Sequence, residues 1–291
     1  MNTRTKAGGA EAVPEFHYRI SWRAAGAQPG HHRSSRIGGG QEFREFAPLI
    51  RHPDPRRIDL RTSLRDPFER FYVRVFNQRS AISVYAIADL SASMSFSGTV
   101  NKTQLLRDFC MSLAISAYRT GDAFGFIGCD ARVRPELHLP ATRRRGVAWE
   151  LKQRLAALHP TESSADALLQ VSRYVTGRSK LLFLISDFHL PLQVIDGALR
   201  SLSKHDVVPV MIWSHDEYAN LPSWGLTRTR DLESGQARLL WLRPSLREKL
   251  VRSFNDRKHA LINLFVAHGR EPFLLLDRVS GEALTAYFHR A

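Results

Sequence analysis

Two clusters of side-chain oxygens are the residues whose types and spacing could do chemistry. The first is Asp89, Ser91 and Ser93, at alternate positions of the run VYAIADLSASMSF. The second is Asp187, at the end of LLFLISD. A tight turn can aim the oxygens of Asp89, Ser91 and Ser93 at a common point. Mg²⁺ takes six oxygens in octahedral geometry and usually keeps some waters, so one or two carboxylates with two or three hydroxyls suit it. So few negative charges would leave the ion Lewis-acidic and able to accept a carboxylate from a partner. Asp-x-Ser-x-Ser is also a short pattern, and Asp and Ser commonly cap helices. Spacing alone therefore leaves a metal site and a structural loop both open.

The elements that must position these residues favour the site. AISVYAIAD is a short apolar, β-branched run ending in polar residues, as a buried strand of a parallel sheet reads. A helix is expected over Lys102 to Thr120, where Leu105, Leu106, Phe109, Leu113 and Ile115 recur near helical spacing. A strand in DAFGFIGCDARV follows, then helices around Val147 to Leu158 and Ser164 to Tyr174. The strand KLLFLISD, a helix around Leu192 to Leu202 and the strand VVPVMIWS continue the alternation. The tail adds a hairpin-like pair turning at Glu233 to Gln236, a long helix from about Ser245 to Ala267, the strand PFLLLD and a short terminal helix. Strands alternating with helices predict an α/β fold, a three-layer αβα sandwich around a mostly parallel, doubly wound sheet. In such sheets ligands bind at the carboxyl ends of the strands, near the switch point. Asp89 and Asp187 both follow strands and would emerge on that edge.

The stretch before this domain differs in texture. Residues 1–15 are small and polar and are expected to be disordered. Residues 16–80 are rich in Arg, Pro and Gly, with alternating runs such as HYRISW and FYVRVF, and predict a basic, strand-containing arm packed on the domain of residues 81–291. The first 80 residues hold 15 Lys+Arg against 8 Asp+Glu, half of the chain's net +14. That balance favours acidic partners without choosing among nucleic acid, anionic membrane and an acidic protein face. The N-terminus lacks the apolar core of a signal peptide, and no run approaches the roughly 20 apolar residues of a membrane span. Cys110 and Cys129 have no metal-site spacing and read as reduced and buried, hence a cytoplasmic protein.

The segments VYAIADLSASMSF, TESSADAL and ISD resemble a metal-ion-dependent adhesion site of the von Willebrand factor A family. The chain is similar in particular to the bacterial MoxR-associated branch of that family, often filed as domain of unknown function family 58. RSSRIGGGQEFREF (Arg33 to Phe46) is similar to the branch's Gly-rich basic segment. HPDPRRIDLRTSLRDP (His52 to Pro67) is similar to its Asp-x-Arg-x-Ile-Asp-Trp stretch, with Leu60 where Trp is usual, and DLESGQ resembles its late Asp-x-Glu-Thr-Gly motif. The resemblance implies a von Willebrand factor A-like fold with Asp89, Ser91, Ser93 and Asp187 as ligands of Mg²⁺, Mn²⁺ or Ca²⁺. It implies a further ligand from a second loop that normally reads Gly-Gly-Thr. Here that loop reads His159-Pro160-Thr161-Glu162-Ser163-Ser164, so Thr161 takes the role, with Ser163 or Ser164 as substitutes. It also implies a cytoplasmic adaptor, not an enzyme, partnered with a MoxR-type AAA+ ATPase in maturing or assembling a client protein complex. The branch includes a member carried in methanol-oxidation gene clusters. The partner would present an acidic side chain to the metal.

Other signals point elsewhere more weakly. Gly38-Gly39-Gly40 lacks the Lys-Ser/Thr of a phosphate loop and reads as a turn. No Gly-x-Ser-x-Gly appears, against a serine hydrolase. Ser91 stands where a phosphoaspartate phosphatase would carry its second acid. His31, His32 and His52 read as loop histidines, and Arg143 to Arg145 as a solvated cap. Arg56, Arg57, Arg61 and Arg65 are expected to pair with Asp54, Asp59 and Asp66, and Phe68, Phe71 and Tyr72 to fill core positions. A basic nucleic-acid or anion-binding protein with a degenerate metal loop is the alternative, and a metal-dependent phosphatase a third.

Overall fold

The structure, a computed structural model, describes residues 13–26, 28–95, 100–156, 166–213, 224–230 and 237–290. The described strands of the main domain form one six-stranded sheet. They are β3 (Ser83–Asp89), β4 (Ala123–Cys129), β5 (Leu139–Thr142), β6 (Leu181–Ser186), β7 (Asp206–Ile212) and β10 (Phe273–Leu275). Their order is β10-β7-β6-β3-β4-β5, all parallel except β5, which runs antiparallel to β4 at the edge. The chain leaves β3 on one side for β4 and returns on the other for β6, so β3 lies at the switch point.

Alternation along each strand divides the core in two, because successive side chains point to opposite faces. Val84, Ala86 and Ala88 of β3 join Phe183 of β6 and Val210 of β7 on one face. There they pack against helices α2 (Lys102–Arg119), α3 (Val147–Ala156) and α6 (Gly281–Arg290). Tyr85 and Ile87 join Leu182, Leu184 and Met211 on the other. That face is covered by α4 (Leu192–Ser201), α5 (Pro244–Ala267) and a 3-10 helix over Asp166–Arg173. This is the expected three-layer sandwich. Helix α2 begins where the Asn101 side chain accepts a hydrogen bond from the Gln104 amide at 3.0 Å. It ends at Gly121, whose φ of +70° suits a residue without a side chain. Leu105, Leu106, Phe109 and Leu113 are buried as their spacing predicts, while Ile115 is half-buried. The tail also forms a hairpin, β8 (Gly225–Arg230) with β9 (Ala237–Leu242); its expected turn lies outside the described residues.

The arm contains an antiparallel pair, β1 (Pro29–Pro48) and β2 (Tyr72–Ser80), and a single-turn helix, α1 (Leu60–Ser63). Ahead of β1 an extended strap crosses onto the main domain. Its Phe16, Tyr18 and Ala24 are buried in the core on the α2 side. Asp122, also buried, ties the strap down. One carboxylate oxygen accepts from the Ile82 amide at 2.8 Å. The other contacts Tyr18 Oη at 2.6 Å, His32 Nε2 at 2.8 Å and Thr120 Oγ1 at 3.0 Å. Burial first, then the neighbouring Asp122, pushes the Tyr18 phenol well above its ordinary range.

Gly38–Gly40 make no turn but a bulge inside β1: Ile37 and Glu42 both face Asn77, and a side chain on Gly40 would meet the Asn77 carbonyl oxygen at 1.7 Å. Phe68 and Phe71 are 74% and 56% exposed, because the two-stranded arm has no second layer there. Of the named arginines Arg57 pairs with Asp54, whereas Asp59 and Asp66 are taken by Arg74 and Arg70. The segment expected as a helix from Ser164 is a 3-10 helix over its described part. Strand β5, Leu-Pro-Ala-Thr, was too short to show in the sequence pattern.

Candidate metal centre

Asp89 is the last residue of β3, and the parallel register pairing Ala88 with Ile185 sets it level with Ser186 at the end of β6. Ser186 Oγ accordingly donates to Asp89 Oδ2 at 2.6 Å. Beyond Asp89 the chain turns tightly. The Ser91 amide donates to Asp89 Oδ1 at 2.9 Å, and the Met94 amide donates to the Ser91 carbonyl at 3.0 Å. This turn brings Ser91 Oγ and Ser93 Oγ to 3.1 Å, and Ser93 Oγ donates to Asp187 Oδ1 at 3.2 Å. Asp89, Ser91, Ser93 and Asp187 are thus gathered at one rim of the sheet. Thr161, Ser163 and Ser164 lie outside the described residues.

The sequence did not reveal the cation already there. Lys102 Nζ donates to Asp187 Oδ2 at 2.8 Å, and both side chains are 1% exposed. Lys102 is the first residue of α2. A positive charge is disfavoured at a helix N-terminus, where the dipole is itself positive. That misplacement was the available signal that the charge serves something other than the helix. Burial drives the Asp187 carboxyl up, but Lys102 and then His189 outweigh it and hold it below the usual carboxylate range. Asp89 has no such partner. Burial, then repulsion from Asp187, pushes its carboxyl up to about 6 despite the Ser186 and Ser91 hydrogen bonds.

Asp187 is fixed from behind. Trp213 Nε1 donates to its carbonyl at 2.7 Å, and the His189 amide reaches Oδ1 at 3.3 Å. Phe188 adopts φ of +53°, a left-handed conformation uncommon for a residue with a large side chain. The Phe188 amide bonds Ser186 Oγ at 2.8 Å, its carbonyl accepts from Arg257 at 2.8 Å, and its ring packs on Phe265 at 4.9 Å. Several contacts thus hold this strained residue beside Asp187.

The donor set fits a hard cation. It consists of carboxylate and hydroxyl oxygens, which suit Mg²⁺, Mn²⁺ or Ca²⁺. Cys129 is close in the neighbouring strand, but burial first and then Asp89 and Asp130 keep its thiol protonated. Asp130, at the same rim, is engaged by Arg134. Among the described residues no group of three or more His, Cys, Asp or Glu could hold a metal, so a cation here depends on the serine hydroxyls as well. Asp187 keeps Oδ1 on the serine side while Lys102 holds Oδ2, which leaves the ammonium and a cation room on different oxygens. Among the described residues no helix is long and apolar enough to cross a membrane. Both cysteines are free and buried.

The profile of the family described as "Protein of unknown function DUF58" matches residues 51–260. No curated protein matches the chain. Among solved structures, the conserved hypothetical protein BatB from Bacteroides thetaiotaomicron is 13% identical, with a TM-score of 0.42 over 72% of this chain and 98% of that one. An aerotolerance-related membrane protein from Bacteroides fragilis is 14% identical, with a TM-score of 0.42 over 72% of this chain and all of that one (100%). Proximal thread matrix protein 1 from the mussel byssus, solved with a zinc-occupied MIDAS motif, is 17% identical, with a TM-score of 0.34 over 45% of this chain and 38% of its own.

Proposed function

The chain belongs to the DUF58 family, and we propose that it is a non-enzymatic adaptor that binds a protein partner through a divalent cation. The observation that carries this reading is the convergence of Asp89, Ser91, Ser93 and Asp187 at the carboxyl rim of the sheet. Asp89 and Asp187 would supply the charge that holds the ion, and Ser91 and Ser93 neutral oxygens. When bound, the cation supplies a Lewis-acidic point for a carboxylate from the partner. Lys102 lowers the charge of the carboxylate pair, so an ion held here keeps more of its own. Phe188 and Trp213 fix the position of Asp187 before any ligand arrives.

The finer reading rests on the resemblance of Arg33 to Phe46, His52 to Pro67 and Asp231 to Gln236 to the MoxR-associated branch. In it the partner is a MoxR-type AAA+ ATPase, and the adaptor helps it mature or assemble a client complex. The Asp89→Ala variant tests the metal. Calorimetric titration with Mg²⁺ and Mn²⁺ should give saturable heat with the wild type and none with the variant; equal heats would remove Asp89 from the ligand set. Co-purification of an AAA+ ATPase that chelator releases would support the partner, and co-purification indifferent to chelator would count against a cation-centred contact.

A further inference from the structure

The opposite rim of the sheet carries a second site. Strands β3, β4, β6 and β7 are parallel, so their starts share one edge, away from Asp89 and Asp187. At that edge a cleft of ≈ 630 Å³ opens between the strap and the residues that lead into these strands. Arg23, Arg143, Arg178, Lys180 and Lys204 line it, and none of its lining residues is acidic. These five cations come from four separate stretches of chain, so no local charge run explains their meeting.

What holds them is the telling point. Arg178 Nη1 donates to the Ala25 carbonyl at 2.6 Å, and Arg143 Nη1 to Gln28 Oε1. Lys180 Nζ donates to the carbonyls of Thr176 and, at 3.2 Å, Arg178. All these acceptors are neutral, and among the described residues no carboxylate pairs with any of the five. Arg143, Arg178 and Lys180 are therefore held without being neutralised. By contrast Arg134 meets Asp130 and Arg270 meets Asp206. Burial and then Lys204 lower the Lys180 pKa, the mark of like charges gathered with no counter-ion. The half-buried Trp22 also lines the cleft, and its indole Nε1 is buried without a hydrogen-bond partner.

We propose that this cleft binds a phosphorylated small molecule of about nucleotide size, its di- or triphosphate held by Arg143, Arg178, Lys180 and Lys204 and its remainder lying beside Trp22. Planar guanidinium forks and lysine ammonium groups are the usual donors to phosphate oxygens. Several cations in one place match a polyphosphate better than a single carboxylate. The volume lies within the range of small-molecule sites, about 300–1,000 Å³, and exceeds what bare phosphate fills. A single-stranded nucleic acid would instead need a groove with several stacking aromatics, whereas here Trp22 is the one aromatic side chain among the lining residues. The inference is independent of the metal centre.

Calorimetric titrations with inorganic pyrophosphate and with ADP, both in EDTA to keep divalent cations out, test it. Saturable 1:1 binding of both is expected, with ADP the tighter. Lys180→Gln/Lys204→Gln should weaken both by at least about tenfold, a loss of about 1.4 kcal/mol, with the melting temperature not lowered. Lys204→Glu, which alters one exposed side chain, should do the same should the double variant fold poorly. Absence of saturable binding of either probe, or equal affinity in wild type and Lys204→Glu, overturns the proposal. So does binding of duplex DNA or anionic vesicles in the absence of pyrophosphate binding, which would make the rim a general basic surface.

Discussion

The two rims of one parallel sheet handle charge in opposite ways. At the carboxyl rim three aspartates are almost wholly buried, and Lys102 and Arg134 each offset one of them. At the amino rim five cations line a cleft without an acid among them, and neutral oxygens steady three of them, Arg143, Arg178 and Lys180. A buried charge must find a partner inside the protein, whereas a half-exposed one can wait for a partner from outside. The comparison teaches that what a charged cluster lacks is a guide to what it takes: one further cation at the first rim and an anion at the second.

The largest effect is expected at Lys102. Lys102→Met would leave the Asp187 carboxylate buried and unpaired, and breaking such a pair costs about 3–5 kcal/mol. Urea denaturation should show that loss, with Mg²⁺ restoring more stability to the variant than it adds to the wild type. A variant as stable as the wild type would mean that Lys102 does not balance the site.

A smaller effect of opposite sign is expected at Asp89. Its carboxyl is raised to about 6, so the folded state binds that proton more tightly than the unfolded state does. The cost of the ionised form is therefore fully present above about pH 6 and fades as the pH falls towards the ordinary carboxylate value of about 4. Asp89→Asn should stabilise the metal-free protein at pH 7 by about 1–3 kcal/mol, abolish the response to Mg²⁺, and lose its advantage near pH 4. A variant less stable than wild type at neutral pH would show that the carboxylate is held for structure.

The smallest effect belongs to the amino rim. The Lys180 pKa is depressed by burial and by Lys204. For a depressed lysine the penalty is present below its folded pKa and is relieved as the pH rises from there towards the unfolded value. Lys204→Gln should move the Lys180 titration upward, followed by NMR of its side chain, and flatten the alkaline gain in stability. Pyrophosphate should shift the wild-type titration the same way. An unmoved Lys180 in both experiments would separate the two lysines.

Much of the carboxyl rim was legible because its signal is local. AISVYAIAD and KLLFLISD are unbroken apolar runs that end in acids, and strand direction does the rest. Lys102 was not legible, since it meets a carboxylate 85 positions away. Ser186 and Trp213 were missed for the same reason: their roles exist only once β6 lies in register with β3 on one side and β7 on the other. The amino-rim cleft was further out of reach, because Arg143 reads locally as the start of a solvated run. The arm's Phe68 and Phe71 were misjudged because apolar character does not say whether a second layer exists to cover it.

Asp122 links these matters in one last way. Tyr18 and His32, which clasp it, stand in the chain on either side of Trp22, Arg23, Ala25, Gly26 and Gln28, which line the amino-rim cleft, and Ala123 of that cleft is its next neighbour. The carboxylate thus works as a rivet through both ends of a short span of chain, and it sets where that span can lie. A shortened protein starting at Ala81 would lose the span and leave the rivet hole: a sequestered acid with two of its four partners gone. Trimming to the sheet domain should therefore yield something less soluble and less cooperative than the sheet's own contacts suggest.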